Sequence, residues 1–144
     1  MALKPDLVEY FRTMLKGNYV ENDRLEAKLD TEGWGEFATL LGIVFFLAVN
    51  RRLNERASEA EIVQFVAEMR SAAPMDAEEL DANAAERLVK AALDPDIETD
   101  IDPEMAGAIQ GVAIMHVLGE GKVSDHEIDA LLREAVEAAN RVSG

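Results

Sequence analysis

The stretch from Phe37 to Val49 constrains this chain most: thirteen residues in which only Thr39 and Gly42 interrupt apolar side chains. As a helix it would be about 20 Å long. A bilayer core of about 30 Å needs about 20 apolar residues, so the run is too short to span a membrane. A helix with no polar face must be surrounded by protein. The pattern therefore predicts a central buried helix over about 33–57, starting near Thr31–Gly33 and carrying Trp34, Phe37, Leu40, Leu41, Ile43, Val44, Phe45, Phe46 and Leu47. Its far end turns polar at Asn50, Arg51, Arg52, Asn54, Glu55 and Arg56 and is expected to emerge into solvent.

The remaining segments repeat apolar residues at i, i+3, i+4 and i+7, the period of an amphipathic helix. A first helix opens at Pro5, a residue suited to the first helical position, and stops at Gly17. Two turns follow over Asn22–Asp30, with Leu25 and Leu29 on one seam. Ser58 with Glu61 forms a capping box, opening a helix striped by Ile62, Val63, Phe65, Val66 and Met69. Beyond Pro74 another helix is predicted from near Asp76, with Glu79 in its first turn, through Leu80, Ala84 and Leu88 to a stop at Pro95. Pro103 opens a sixth helix through about Leu118. Gly107 and Gly111 share one of its faces, and the spacing predicts close approach of another helix backbone there. Ser124 with Glu127 caps the last helix, which carries Ile128, Leu131, Leu132, Ala135, Val136, Ala139 and Val142. No segment reads as a strand. The expected fold is all-α: one domain over 1–144, a compact bundle of six to seven helices around the helix at 33–57.

Charge and composition then narrow function. The chain has 14 Lys and Arg against 29 Asp and Glu, a formal net charge of −15, and no Cys. Disulfides, Cys–zinc sites, iron–sulfur clusters and thiol nucleophiles are excluded, and two histidines cannot make a three-His metal site. Asp6 and Glu9 break any apolar stretch at the N-terminus, so a cytoplasmic location is expected. Residues 1–57 carry eight basic and nine acidic side chains, net −1; residues 58–144 carry six and twenty, net −14. That imbalance argues against nucleic-acid binding and would steer in a basic protein partner.

The segment 94–104 concentrates this charge. Asp94, Asp96, Glu98, Asp100, Asp102 and Glu104 alternate with uncharged residues, and no base lies among them. Such carboxylates repel one another, and a divalent cation taking oxygen ligands would relieve the repulsion. Asp94, Asp96, Glu98, Asp100 and Asp102 are thus candidate metal ligands. The segment resembles an EF-hand loop in its alternating acids and in Ile101 at the eighth position. It departs from that pattern with Thr99 where the loop needs Gly and Met105 where it needs Glu. The competing reading is an interhelical loop whose later acids favour the start of the sixth helix.

His116 lies on a mostly apolar helix and is expected to be partly buried with a local hydrogen bond. His126 shares a face with Asp129 and Arg133 and is expected to be solvated. Two histidines with Asp125 or Glu120 would form at most a weak zinc site. Arg52 and Arg56, one turn apart, and Arg51 form the basic cluster, expected to pair with the chain's own acids. Trp34 is expected to anchor the start of the core helix. The turn over 119–128, Gly-Glu-Gly-Lys-Val-Ser-Asp-His-Glu-Ile, resembles the helix–turn–helix connections of acidic helical families such as tellurite-resistance TerB-type domains. A glycine turn and a capping box account for that likeness, and no function follows from it. No phosphate loop, dinucleotide fingerprint, nucleophile elbow or HExxH motif is present.

These features point first to a non-enzymatic protein–protein interaction or regulatory module using the acidic C-terminal half. An incompletely covered apolar stripe, on helix 58–72 or 124–142, would make it a homodimer. The alternatives are a divalent-cation-binding domain through 94–104, and an enzyme or small-ligand carrier with an interhelical pocket near Trp34 or His116.

Overall fold

The computed structural model describes residues 4–54, 56–73, 80–94, 96–119 and 121–143. The fold is all-α. Seven helices are formed among the described residues: α1 (Pro5–Lys16), α2 (Tyr19–Glu32), α3 (Phe37–Arg52), α4 (Glu59–Ala72), α5 (Ala82–Leu93), α6 (Pro103–Leu118) and α7 (Asp125–Ser143). None of them is long and apolar enough to cross a membrane. The chain gathers into two compact units, one of residues 1–44 and 118–144, the other of residues 45–117.

In the first unit, α1 packs on α2 and α7. Leu7, Phe11 and Leu15, one turn apart along α1, are at most 1% exposed. Removing each from water stabilises the fold by about 1.5–3 kcal/mol. Leu25 and Leu29 of α2, Leu40 and Val44 of α3, and Ile128, Leu132, Ala135 and Ala139 of α7 are also buried there. A buried polar clamp ties α1 to α2. Asn22 Nδ2 donates to the Tyr10 carbonyl at 2.8 Å and to Thr13 Oγ1 at 3.2 Å, and the Thr13 hydroxyl donates back to the Glu9 carbonyl at 2.9 Å. Gly17 ends α1 at φ 78°, in the left-handed region that glycine enters without steric cost.

The boundary between α2 and α3 differs from the sequence expectation. The helix of 33–57 is shorter at both ends, and α2 reaches Glu32. Gly33 and Gly35 take φ of 97° and 53°, which breaks the helix and leaves Trp34 in the connection. The Lys4 ammonium closes the end of α2 by donating to the carbonyls of Glu32 at 3.3 Å and Gly33 at 2.9 Å. Phe46 of α3 remains 49% exposed, so α3 is not enclosed along its whole length. Its polar end, from Asn50 to Arg52, is exposed as expected.

In the second unit, α4 packs on α5. Ser58 and Glu61 form the full capping box: Ser58 Oγ accepts from Glu61 N at 3.1 Å, and Glu61 Oε1 accepts from Ser58 N at 3.3 Å. Ile62, Phe65, Val66 and Met69 are buried, whereas Val63 stays 44% exposed. The expected start of the fifth helix near Asp76, with Pro74 and Glu79, lies outside the described residues, as does Pro95. Among the described residues α5 begins at Ala82. Asp81 caps it, accepting from Asn83 N at 2.8 Å and Ala84 N at 3.1 Å, so Leu80 precedes the helix. α6 runs from Pro103 to Leu118 as the sequence predicts. Among the described residues, the close approach expected at Gly107 and Gly111 is not present: a Cβ at either would meet none of their atoms within 4 Å.

Candidate functional site

The acidic segment 94–104 leaves α5 and enters α6 through hydrogen bonds made by its own carboxylates. Asp94 ends α5, and its Oδ1 accepts from Asp96 N at 3.0 Å. Asp102 Oδ2 accepts from Glu104 N at 3.1 Å and Met105 N at 3.2 Å, the geometry of an N-cap ahead of Pro103. Asp100 pairs with Arg87 at 3.2 Å, with its own side chain 93% exposed. Asp96 and Glu98 make no ion pair among the described residues. Between them Ile97 is 38% exposed, one of the few large apolar side chains left in solvent. The five candidate ligands Asp94, Asp96, Glu98, Asp100 and Asp102 thus have divided tasks. Among the described residues, no three or more His, Asp or Glu side chains are grouped to hold a metal ion.

His116 is partly buried, its side chain 18% exposed, with Nε2 3.8 Å from Glu68 Oε2 on α4. The Phe65 ring lies against it at 5.8 Å. Arg52 Nη2 holds the same carboxylate at 2.9 and 3.3 Å, and its guanidinium lies 6.0 Å from the Phe65 ring centre. Arg52 therefore pairs with an acid of its own chain, as expected. Arg56 lies beyond the end of α3 and so does not share a helical face with it. His126 is exposed, and Glu120 lies outside the described residues. Trp34 packs edge-on against Tyr10 at 5.2 Å and Phe37 at 5.0 Å, and its indole Nε1 donates to Asp30 at 2.8 Å. It anchors the approach to α3.

In the first unit, α1 and α7 flank an open groove of about 500 Å3. Neither Trp34 nor His116 lines it. Val8, Leu132 and Val136 form its apolar part, and Arg12, Lys16, Arg133, Asp129 and Glu137 supply charge. Asp129 takes Arg12 Nε at 2.9 Å and Lys16 Nζ at 3.0 Å. Those two cations, Lys16 foremost, hold its carboxyl below the usual carboxylate range. The sequence did not suggest this groove. Val8, Arg12 and Lys16 recur every four residues on α1, and Asp129, Arg133 and Glu137 do so on α7, but the local pattern shows only two solvated stripes.

Comparison with known proteins finds no match: no family model, no curated protein and no solved structure corresponds to this chain. The functional reading therefore rests on the residues themselves.

Proposed function

We infer that this chain is a non-enzymatic helical module that recognises a basic protein partner through the acidic segment 94–104. One observation carries the reading. The segment is exposed through Asp96–Asp100, Asp96 and Glu98 stand outside any ion pair among the described residues, and Ile97 is held in solvent between them. An apolar side chain flanked by unspent charges of one sign suits a partner with an apolar contact inside a cationic rim. Asp94 and Asp102, the segment's ends, are committed to the backbone and fix where it leaves α5 and enters α6. A partner copy of this chain is disfavoured, because the net charge of −15 sets two copies against each other.

The test is a charge reversal that leaves the ends of the segment intact. Affinity capture with the wild-type chain is compared with capture by the Asp96→Lys, Glu98→Lys variant, in a cell extract at about 0.15 M salt, where the Debye length is about 8 Å. A basic protein retained by the wild type and lost from the variant supports the reading. An unchanged set of retained proteins from an equally folded variant contradicts it.

A further inference from the structure

We propose that the exposed apolar side chains set around the last turn of α5 form one docking surface for a basic amphipathic segment of a partner protein. The inference rests on the reading of segment 94–104 and extends that surface to α3 and α4. Five large apolar side chains stay in solvent among the described residues. Three of them, Phe46 at 49%, Val63 at 44% and Ile97 at 38%, belong to the second unit. Polar contacts tie the elements that carry them to the end of α5. Asn50, one turn beyond Phe46 on α3, donates through Nδ2 to the carbonyls of Phe46 at 2.9 Å and Ala92 at 3.3 Å. Glu59, one turn before Val63 on α4, takes Lys90 Nζ at 2.6 Å. Ile97 N donates to the Asp94 carbonyl at 3.1 Å, in a turn that starts where α5 stops. Residues one turn apart share a helix face, so Phe46 and Val63 lie on the faces that reach α5. Apolar side chains left in solvent within a polar rim mark a contact with another molecule, and aromatic residues such as Phe46 are enriched at protein–protein contacts.

Charge selects the occupant. Residues 45–117 carry six Lys and Arg against fifteen Asp and Glu, net −9. The cations nearest the apolar side chains are spent on acids of the same unit: Lys90 on Glu59, Arg87 on Asp100 and Arg52 on Glu68. Arg56 makes no ion pair among the described residues, but neither do Asp96, Glu98 and Glu104. The surplus is negative both in the total and in the charges left over. Such a surface attracts a cationic segment and repels nucleic acid, an anionic membrane and a second copy of this chain. A polycation without apolar side chains would leave Phe46 and Val63 in water, so the occupant carries both kinds of residue.

The probe is a capped sixteen-residue synthetic helix with Leu at i, i+3, i+4 and i+7 and Lys on both flanks. A second peptide has Ser in place of every Leu, and a third has Glu in place of every Lys. Binding to the full chain is followed by fluorescence anisotropy at about 0.15 M salt, where the Debye length is about 8 Å, and mapped by backbone amide shifts. The Lys–Leu peptide is expected to bind roughly tenfold more tightly than either of the others and to move the amides of Phe46, Asn50, Val63 and Ile97. Phe46→Gln and Val63→Gln, at side chains about half in water, are each expected to weaken it about fivefold with unchanged thermal unfolding. The shift map on the wild type decides the matter should either variant fold poorly. Equal binding of the Lys–Ser peptide would overturn the inference. So would binding that is lost in the Asp96→Lys, Glu98→Lys variant but ignores both Gln variants and moves only amides of 96–104; the reading of the segment would then stand alone. No binding of the Lys–Leu peptide, or equal binding of the Glu–Leu peptide, would overturn both.

Discussion

The acids of segment 94–104 are predicted to divide sharply when replaced one at a time. Asp102 accepts two backbone N–H groups at the start of α6, from Glu104 at 3.1 Å and Met105 at 3.2 Å. Removing such a cap costs about 1 kcal/mol, and losing its negative charge at a helix N-terminus adds about 0.3–1 kcal/mol. Asp102→Ala should therefore destabilise the protein by about 1.5 kcal/mol. Asp102→Asn, which keeps the acceptor, should cost only the about 0.3–1 kcal/mol that belongs to the charge. Asp96→Asn and Glu98→Gln should stay within about 0.5 kcal/mol of wild type, as surface substitutions do. Asp100→Asn should as well, because its pair with Arg87 is water-exposed. The assay is urea unfolding followed by circular dichroism. With a slope of about 2 kcal/mol per molar, Asp102→Ala should lower the midpoint by about 0.7 M. The series is run in EDTA and again with Ca²⁺ or Mg²⁺ at matched ionic strength. Equal losses at Asp96, Asp100 and Asp102 that appear only with one cation would refute the division of tasks. They would show the five carboxylates acting together as ligands.

Three further predictions follow from the packing. Gly107→Ala and Gly111→Ala should each stabilise the protein by about 0.5–1 kcal/mol, because the new methyl meets nothing within 4 Å among the described residues and helix-interior glycine is entropically costly; a loss in thermal unfolding would mean that another backbone approaches there. Asn22→Ala, which deletes two buried hydrogen bonds between α1 and α2, should cost about 2 kcal/mol, and a urea midpoint at the wild-type value would remove the clamp from the account. Burial first, then Glu26, Asp30 and Asp23, push the Tyr10 phenol above its ordinary 10.0. The stability this shift adds is present below pH 10 and lost as pH rises through the folded-state value, so ultraviolet titration should show one tyrosine ionising late and Tyr10→Phe should abolish that phase.

Local chemistry made much of the fold legible. α1 between Pro5 and Gly17, α4 behind Ser58 and Glu61, and α6 from Pro103 to Leu118 follow from residues that cap, start or stop a helix without reference to the rest of the chain. The α2–α3 boundary was misplaced because apolar continuity outweighed Gly33 and Gly35, whose positive φ breaks the helix. The apolar stripes of α4 and α7, whose coverage the sequence left open, are mostly buried, while Val63, Phe46 and Ile97 stay in solvent. Periodicity identifies the face a helix buries, but not which apolar residues off that face lack a neighbour. The α1–α7 groove depends on a contact between residues more than 100 positions apart, such as Arg12 with Asp129, which no local pattern encodes. For the acidic segment, the sequence located the charges. Their separate hydrogen-bonding tasks depend on where α6 begins.

The most direct test of the central claim is site-specific photo-crosslinking in living cells, with a photoreactive residue in place of Ile97. The account predicts a discrete adduct with a basic protein that disappears when Asp96 and Glu98 are both changed to Lys, while the same probe at exposed Gln64 gives none. No adduct at position 97, or an adduct that survives the charge reversal, would contradict it.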